Sequence, residues 1–479
     1  MIWRVLTFSF TVLMSGCLAA SRPDHQPPVN TAPDGAPPVP PQLNWMDIKS
    51  DEATSRLSGV WRNQALGHVA IFNDGEVEVF HEYSDICIAD TGVVPKFSLV
   101  KFDDEQQEIQ LQYYDFMDRP TLLQKPLTYV RLQQAPPGCL DQSPIANADR
   151  VTVFDLVWAV FDQHYAFFEQ RGVDWDRQRA HFRPRAASAE TDEELFYLLS
   201  EMIRPLNDGH VNLTWRELFF NTGRPDLRRR LGEAWAETDR SMSEGAFVSD
   251  WSRTVRASAL ELLDENTYRA DANGALEWGV IGGNVGYLRI NRFSSFHPDA
   301  SSRPAELDAL GAALSRMSGD LKDTARLILD VSHNGGGNDA AAMTVVEHFL
   351  DVPRDVLVYR VAGAPDRIVR LVPSRDAHRK PITLLTSEIT ASAAEAFVLM
   401  MRALPNVEHA GGATRGGISS LLPKPLPRGF RVTVAHEEVR DVDGFLFEGE
   451  GIPPKRKIEL YPDGQLYDGY ARAILLLSQ

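Results

Sequence analysis

The sequence predicts an α/β protein in which a small antiparallel β domain and a helical region precede a core of βαβ units. Three changes of hydrophobic rhythm predict it. Apolar residues alternate with period two between Gly59 and Leu132, recur at steps of three and four from Val151, and from about Leu276 fall into short runs separated by longer amphipathic stretches. Side chains return to one face every second residue on a strand and every third or fourth on a helix, so the rhythm reports the element. At 479 residues the chain is also too long for one ordinary core, and two or three domains follow from length.

In chain order, residues 1–20 carry one early cation, Arg4, then an apolar run from Val5 to Leu13 that is too short to span a bilayer. This is a secretory signal pattern. Met14-Ser15-Gly16-Cys17 resembles the lipobox of bacterial lipoproteins, which makes residues 1–17 a lipoprotein-type signal peptide and Cys17 its lipidation site. Plain secretion with cleavage near Ala19-Ala20 is the alternative. Residues 18–45 are a proline-rich tether with almost no large apolar residue to bury. The expected location is the cell envelope, as a periplasmic or outer-membrane lipoprotein.

Residues 46–140 form the expected β domain. Val69 and Ile71, the turn Asn73-Asp74-Gly75, then Val77 and Val79 spell a hairpin. Phe97 and Leu99, then Ile109, Leu111 and Tyr113, then Leu127 and Tyr129 continue the alternation, with Trp61 in the core. Export to an oxidising compartment favours a disulfide between Cys87 and Cys139. Residues 148–275 are the helical subdomain. Phe154, Trp158, Phe161 and Tyr165 line one helix face, and Thr191 with Glu194 makes a capping box before Leu195, Leu198, Leu199 and Ile203, with Pro205 as the stop. The stripe of aromatics packs a core rather than a cofactor.

Residues 276–479 are the α/β core: strands over Val285–Ile290, Leu327–Val331 and Ile382–Leu385, helices over Ala305–Met317, Asp339–Leu350 and Ser392–Leu404. A hydrophobic fraction of 43% and a charged fraction of 24% suit a folded globular chain. A formal net charge of −17 repels phosphate backbones, which argues against nucleic acid as a partner.

Three segments supply parts of acyl-transfer chemistry. Leu206-Asn207-Asp208-Gly209-His210 puts a histidine after a tight turn, a fixed place for a general base, although a lone histidine is more often structural. Leu329-Asp330-Val331-Ser332-His333-Asn334-Gly335-Gly336-Gly337 runs a buried strand into glycines whose N–H groups can face an anion. Thr390-Ala391-Ser392-Ala393-Ala394-Glu395 places Ser392 at a helix start, where its hydroxyl serves as a nucleophile or merely caps the helix with Glu395. No His-Glu-x-x-His occurs: His81-Glu82 and His436-Glu437 lack the second histidine, so no metal and no cofactor is expected.

These three motifs, with Gly286-Tyr287-Leu288-Arg289-Ile290 before the glycines and Glu448-Gly449-Glu450-Gly451-Ile452-Pro453-Pro454 after the serine, resemble in order the C-terminal processing peptidase family of serine peptidases. The likeness covers about Val151 to Leu460 and is narrower still to the branch holding the tricorn core and the repeats of interphotoreceptor retinoid-binding protein. It implies a crotonase/Clp-protease-like βαβ spiral core and peptide-bond hydrolysis through an acyl-enzyme. By matching position it implies Ser392 as nucleophile, His210 as base, Glu448 as third triad member with Glu450 as near neighbour, and an oxyanion hole from Gly336 or Gly337 and Ala393. In the Ser/Lys members a lysine follows Thr-x-Gly; here Thr414-Arg415-Gly416-Gly417 has Gly417 there, which leaves His210 as the base. Ser332-His333 replaces the usual pair before the glycines, and no PDZ module separates Trp215 from Gly286, where a polar helical stretch around Glu233 to Asp264 stands. The expected partner is a peptide or protein substrate, with the membrane touched only through the lipid anchor; oligomeric state is not readable. A non-catalytic binding protein for an apolar ligand or envelope partner on the same scaffold stays open as the alternative.

Overall fold

The computed structural model describes residues 46–479 apart from 48–55, 74–75, 84–85, 90–96, 104, 106, 114–126, 142, 224–225, 299–302, 363 and 376. The signal segment, Cys17 and the tether lie outside the described residues, as do Asp74 and Gly75 of the expected hairpin turn.

Period-two alternation yields eight strands: β1 (Met46–Asp47), β2 (Gly59–Asn63), β3 (His68–Asn73), β4 (Glu76–Tyr83), β5 (Ile86–Ala89), β6 (Phe97–Asp103), β7 (Glu108–Tyr113) and β8 (Leu127–Leu132). They form one antiparallel sheet in the order β1-β6-β7-β8-β2-β3-β4-β5. Asn73 pairs with Glu76 across the β3–β4 hairpin. Trp61 is fully buried and its indole N–H donates to the Leu57 carbonyl at 2.7 Å, a core residue with its one donor satisfied. Cys87 on β5 is bonded to Cys139 in the short helix Pro137–Leu140, the pairing expected from the sequence.

The stretch of helical periodicity gives α1 (Arg150–His164), α2 (Trp175–Ala187) and α3 (Asp192–Ile203). Asp149 and Thr191 cap α1 and α3 with side-chain bonds to Thr152 and Glu194 amides. Leu195, Leu198, Leu199 and Ile203 are buried as the periodicity predicts, and Pro205 sits in a single 3-10 turn that ends the helix.

After β9 (Asn212–Trp215), β10 (Leu218–Asn221), α4 (Asp226–Ala236) and α5 (Glu244–Leu260) comes the main sheet. Its strands are β11 (Arg269–Asp271), β12 (Leu276–Ile281), β13 (Val285–Ile290), β14 (Arg326–Asp330), β17 (Ile382–Thr386), β18 (Val407–Gly411) and β22 (Arg456–Lys457), in that spatial order. β11 to β13 pair antiparallel, and β13 to β22 run parallel. Helices α6 (Arg303–Asp320), α7 (Asp339–Glu347) and α8 (Ala393–Arg402) make the crossovers that parallel strands need. β15 (Arg354–Arg360) and β16 (Arg367–Leu371) join β21 (Glu438–Arg440) in a three-stranded sheet, and α9 (Gly469–Ser478) closes the chain against the main sheet.

One arrangement departs from a simple serial reading of helical subdomain and core. β9 and β10 share a four-stranded sheet with β19 (Leu421–Pro425) and β20 (Phe430–Ala435), so the segment carrying His210 is hydrogen-bonded to a hairpin some two hundred residues later. Gly209, next to His210, lies against the Arg415 side chain. The Arg415 amide donates to the Thr390 carbonyl at 2.9 Å in the loop that leaves the carboxyl end of β17, where open α/β sheets place their sites.

Candidate active site

The glycine loop follows β14 and the serine loop follows β17, and hydrogen bonds zip the two together. Ser387 Oγ donates to the Ser332 carbonyl at 2.5 Å, Thr390 Oγ1 to Val331 at 2.9 Å, and the Ala391 amide to Asn334 at 3.2 Å. Gly336 has φ +111°, and a Cβ on it would meet the Ser392 Cβ at 2.7 Å and the Ala391 carbonyl oxygen at 2.9 Å. Only glycine fits there. Its amide, however, donates to Asn334 Oδ1 at 2.9 Å. Of the expected oxyanion donors, Gly336 is therefore committed, whereas the Gly337 and Ala393 amides make no hydrogen bond among the described residues.

Ser392 stands at the start of α8 with φ 57° and ψ −128°. An ordinary N-cap has extended backbone, and a side-chain-bearing residue with positive φ is strained. Two flanking contacts hold it: its amide donates to Gly417 O at 2.9 Å and to Glu395 Oε2 at 3.1 Å. From Ala393 to Met401 every residue of α8 is buried, Glu395 among them. A carboxylate so placed needs donors on all sides. Thr414 Oγ1 and the Gly416 amide donate to its Oε1, each at 2.6 Å, and the Gly417 amide to its Oε2 at 2.9 Å. Burial still outweighs these bonds and moves its pKa upward. The capping role read for Glu395 holds, and it also anchors the loop from Thr414 to Gly417.

That loop continues into the site's other acid. Glu448, buried, accepts from the Ile418 amide at 2.8 Å and the Ser419 amide at 3.0 Å through Oε2. Burial first, then the Asp208 and Glu395 charges, push its pKa up to about 8. Glu450, the alternative carboxylate, is exposed.

His210 follows the turn as expected, with Asn207 in the left-handed region (φ 45°) and the His210 amide donating to Asp208 Oδ1 at 2.7 Å. Gly209 leaves room for the Arg415 guanidinium, 3.0 Å from where a Cβ would stand. Burial lowers the His210 pKa and Arg415 adds to that; the Asp208 charge and the Ser419 backbone oppose it. Four consecutive residues, Gly416 to Ser419, thus contact the Ser392 amide, the Glu395 and Glu448 carboxylates and the His210 ring. His210 Nδ1 and Glu448 Oε1 are both buried and neither is hydrogen-bonded among the described residues.

Two further residues complete this site: Asp208, which the turn motif contains without marking its role, and Arg171, which no motif marks. Asp208, fully buried, accepts from Tyr165 Oη at 3.1 Å, and Arg171 lies 3.6 Å from it. Among the described residues no cluster of three or more His, Cys, Asp or Glu side chains forms that would hold a metal ion.

With this geometry the chain is similar to several known proteins. Residues 284–458 match peptidase family S41, and residues 146–204 match the tricorn protease C1 domain. The carboxy-terminal processing protease CtpA of Bacillus subtilis is 26% identical over 180 residues, which is 38% of this chain and 36% of that protein. The chain thus spans about a third of the length of that curated relative. A candidate peptidase from Parabacteroides merdae is 22% identical with a TM-score of 0.54, covering 69% of this chain and 97% of its own. Mature CPAF is 12% identical with a TM-score of 0.51, covering 69% of this chain and 96% of its own. Both share the α/β fold described above. The likeness to C-terminal processing peptidases carried by the five motifs therefore holds, and over residues 284–458 the chain is similar to peptidase family S41.

Proposed function

We propose that this chain is a serine peptidase that hydrolyses peptide bonds through an acyl-enzyme on Ser392. His210 accepts the hydroxyl proton as Ser392 Oγ attacks the substrate carbonyl carbon, and the same proton then passes to the leaving amine. The Gly337 and Ala393 amides hold the oxyanion of the tetrahedral intermediate, with Gly336 shaping the loop. Glu448 orients the imidazole and, in its ionised form, stabilises its cation, so the raised Glu448 pKa favours turnover on the alkaline side; water then repeats the sequence to release the acid product. One observation carries the reading: the strained Ser392 backbone, the His210 ring and the Glu448 carboxylate all bear on the segment Gly416 to Ser419 beside the glycine loop.

The unmade bond between His210 and Glu448 favours a second reading, a binding protein that keeps the scaffold without turnover. Catalytic hydrogen bonds are often long without substrate and close when it binds, so the first reading fits the same observation. Digestion of casein by the native chain and by Ser392→Ala separates the two. Loss of about a thousandfold or more in rate, with fluorophosphonate labelling confined to the native chain, supports the peptidase. Equal digestion by both overturns it.

The expected lipoprotein signal and the Cys87–Cys139 bond together suit a chain exported to the cell envelope, because disulfides persist in oxidising compartments. Among the described residues no helix is long and apolar enough to cross a membrane. Labelled palmitate incorporation that disappears in Cys17→Ala tests the anchor; unchanged incorporation removes it.

A further inference from the structure

We propose that Arg171 is a positioning residue for the hydrolysis: one guanidinium holds both the turn that presents His210 and the carboxylate of Glu448. The proposal rests on the Ser392 reading above.

Arg171 ends a single helical turn, Phe168–Arg171, whose stop is Gly172 in the left-handed region at φ 61°. Phe168 packs on Trp175 and Tyr165, with ring centroids 5.2 and 4.8 Å away, so the base of the arginine is fixed by aromatic packing. Its side chain is only 9% exposed. Nη1 donates to the Asn207 carbonyl at 2.9 Å, which pins the turn three residues before His210. Nη2 lies 3.6 Å from Asp208 Oδ2 and 3.7 Å from Glu448 Oε1, between two buried carboxylates. Gly449 has φ +88°, and a Cβ there would stand 3.1 Å from Nη1, so the guanidinium lies against the backbone that follows Glu448. Asp208 in turn accepts the His210 amide and the Tyr165 hydroxyl.

Arg171 therefore reaches the base side and the acid side of the triad without touching the Ser392 hydroxyl or the imidazole. The charges facing Glu448 are Asp208, Glu395 and Arg171, and those facing His210 are Asp208 and Arg415. Two buried carboxylates close to one cation repel each other once that cation is gone, and one of them then takes a proton. A protonated Glu448 cannot stabilise the imidazolium that forms during attack. The electrostatics agree in sign, since Asp208 and Glu395 already push Glu448 toward its neutral form.

The test is the pH profile of kcat/KM for Arg171→Met and Asp208→Asn in the full chain, beside native and Ser392→Ala controls. Removing the cation moves the acid limb to higher pH by about one unit; removing the Asp208 charge moves it to lower pH. In Arg171→Met kcat falls about ten- to a hundredfold while KM stays within about threefold, and Arg171→Lys recovers part of the loss. A merely structural role would lower the active fraction and leave both limbs in place. If Arg171→Met does not fold, the opposed shifts of Arg171→Gln and Asp208→Asn carry the same test. Unmoved profiles beside an inactive Ser392→Ala overturn the role of Arg171 and leave the nucleophile standing; an active Ser392→Ala overturns the reading beneath it.

Discussion

Ser392 leaves no room for a side chain on Gly336 opposite it: a methyl group on the glycine would come within 2.7 Å of the serine Cβ. At that distance the serine loop must move, because neither partner is the flexible end of a side chain. Gly336→Ala is expected to lower peptide hydrolysis by about a hundredfold or more, since an ångström of displacement is enough to misalign attack. Steady-state kinetics beside a far-ultraviolet spectrum, which should remain native, checks it; native kinetics would mean the loop yields freely.

Glu448→Gln is expected to separate stability from activity. Burial keeps the folded carboxyl protonated up to about pH 8, whereas the unfolded chain releases that proton in the ordinary carboxylate range. The group's contribution to stability is then full at low pH and lost as pH rises through its folded value. The glutamine variant should melt with the native chain near about pH 5 and roughly 5 °C above it near about pH 9, while hydrolysing about a hundredfold more slowly. Calorimetry at the two pH values decides; a variant less stable at the alkaline end contradicts the buried, neutral Glu448.

Reduction should loosen the N-terminal sheet. The Cys87–Cys139 bond closes a span of 52 residues and holds the edge strand β5 to the helix leading into α1. Loop-closure entropy assigns such a bond about 4 kcal/mol. Cys87→Ala with Cys139→Ala should lower the first thermal transition and speed amide exchange in β3 to β5; unchanged exchange there would show that packing alone holds the sheet.

Acid should act first where the N-terminal sheet meets the rest of the chain. His68 is buried opposite His81, neither of its ring nitrogens has a hydrogen-bond partner among the described residues, and Lys424 and His164 lie near. Burial, then His81 and Lys424, keep His68 neutral well below its ordinary range, and burial lowers His164 to about 3. The unfolded chain takes up those protons below about pH 6.5, so stability is full above that value and drains away as pH falls. His68→Phe should lower the acid-unfolding midpoint by about half a pH unit. An unchanged midpoint would place the acid-sensitive group elsewhere.

Local chemistry made much of this site legible. Gly336 is demanded by a close approach, His210 by a turn and Ser392 by a strand-to-helix junction, and each leaves a mark within a few residues of itself. Arg171 leaves none, because its meaning lies in contacts with Asp208 and Glu448, distant along the chain. β19 was unreadable for another reason: Pro423 and Pro425 interrupt its alternation, and they are tolerated only because β19 is an edge strand. Without it and β20, the partner of β9 could not be guessed, and so neither could the path that carries His210 to the serine. The oxyanion donors were ambiguous by nature, since three adjacent glycines look alike until Asn334 occupies one amide.

Asp330, at the foot of the glycine loop, accepts hydrogen bonds from the hydroxyls of Tyr287 and Tyr470, the latter 140 residues further along the chain. His333 in the same loop meets the Tyr461 hydroxyl at 2.8 Å. The glycine loop is consequently braced in part by Tyr461 and Tyr470, which the ribosome adds only after Ser392 has been made.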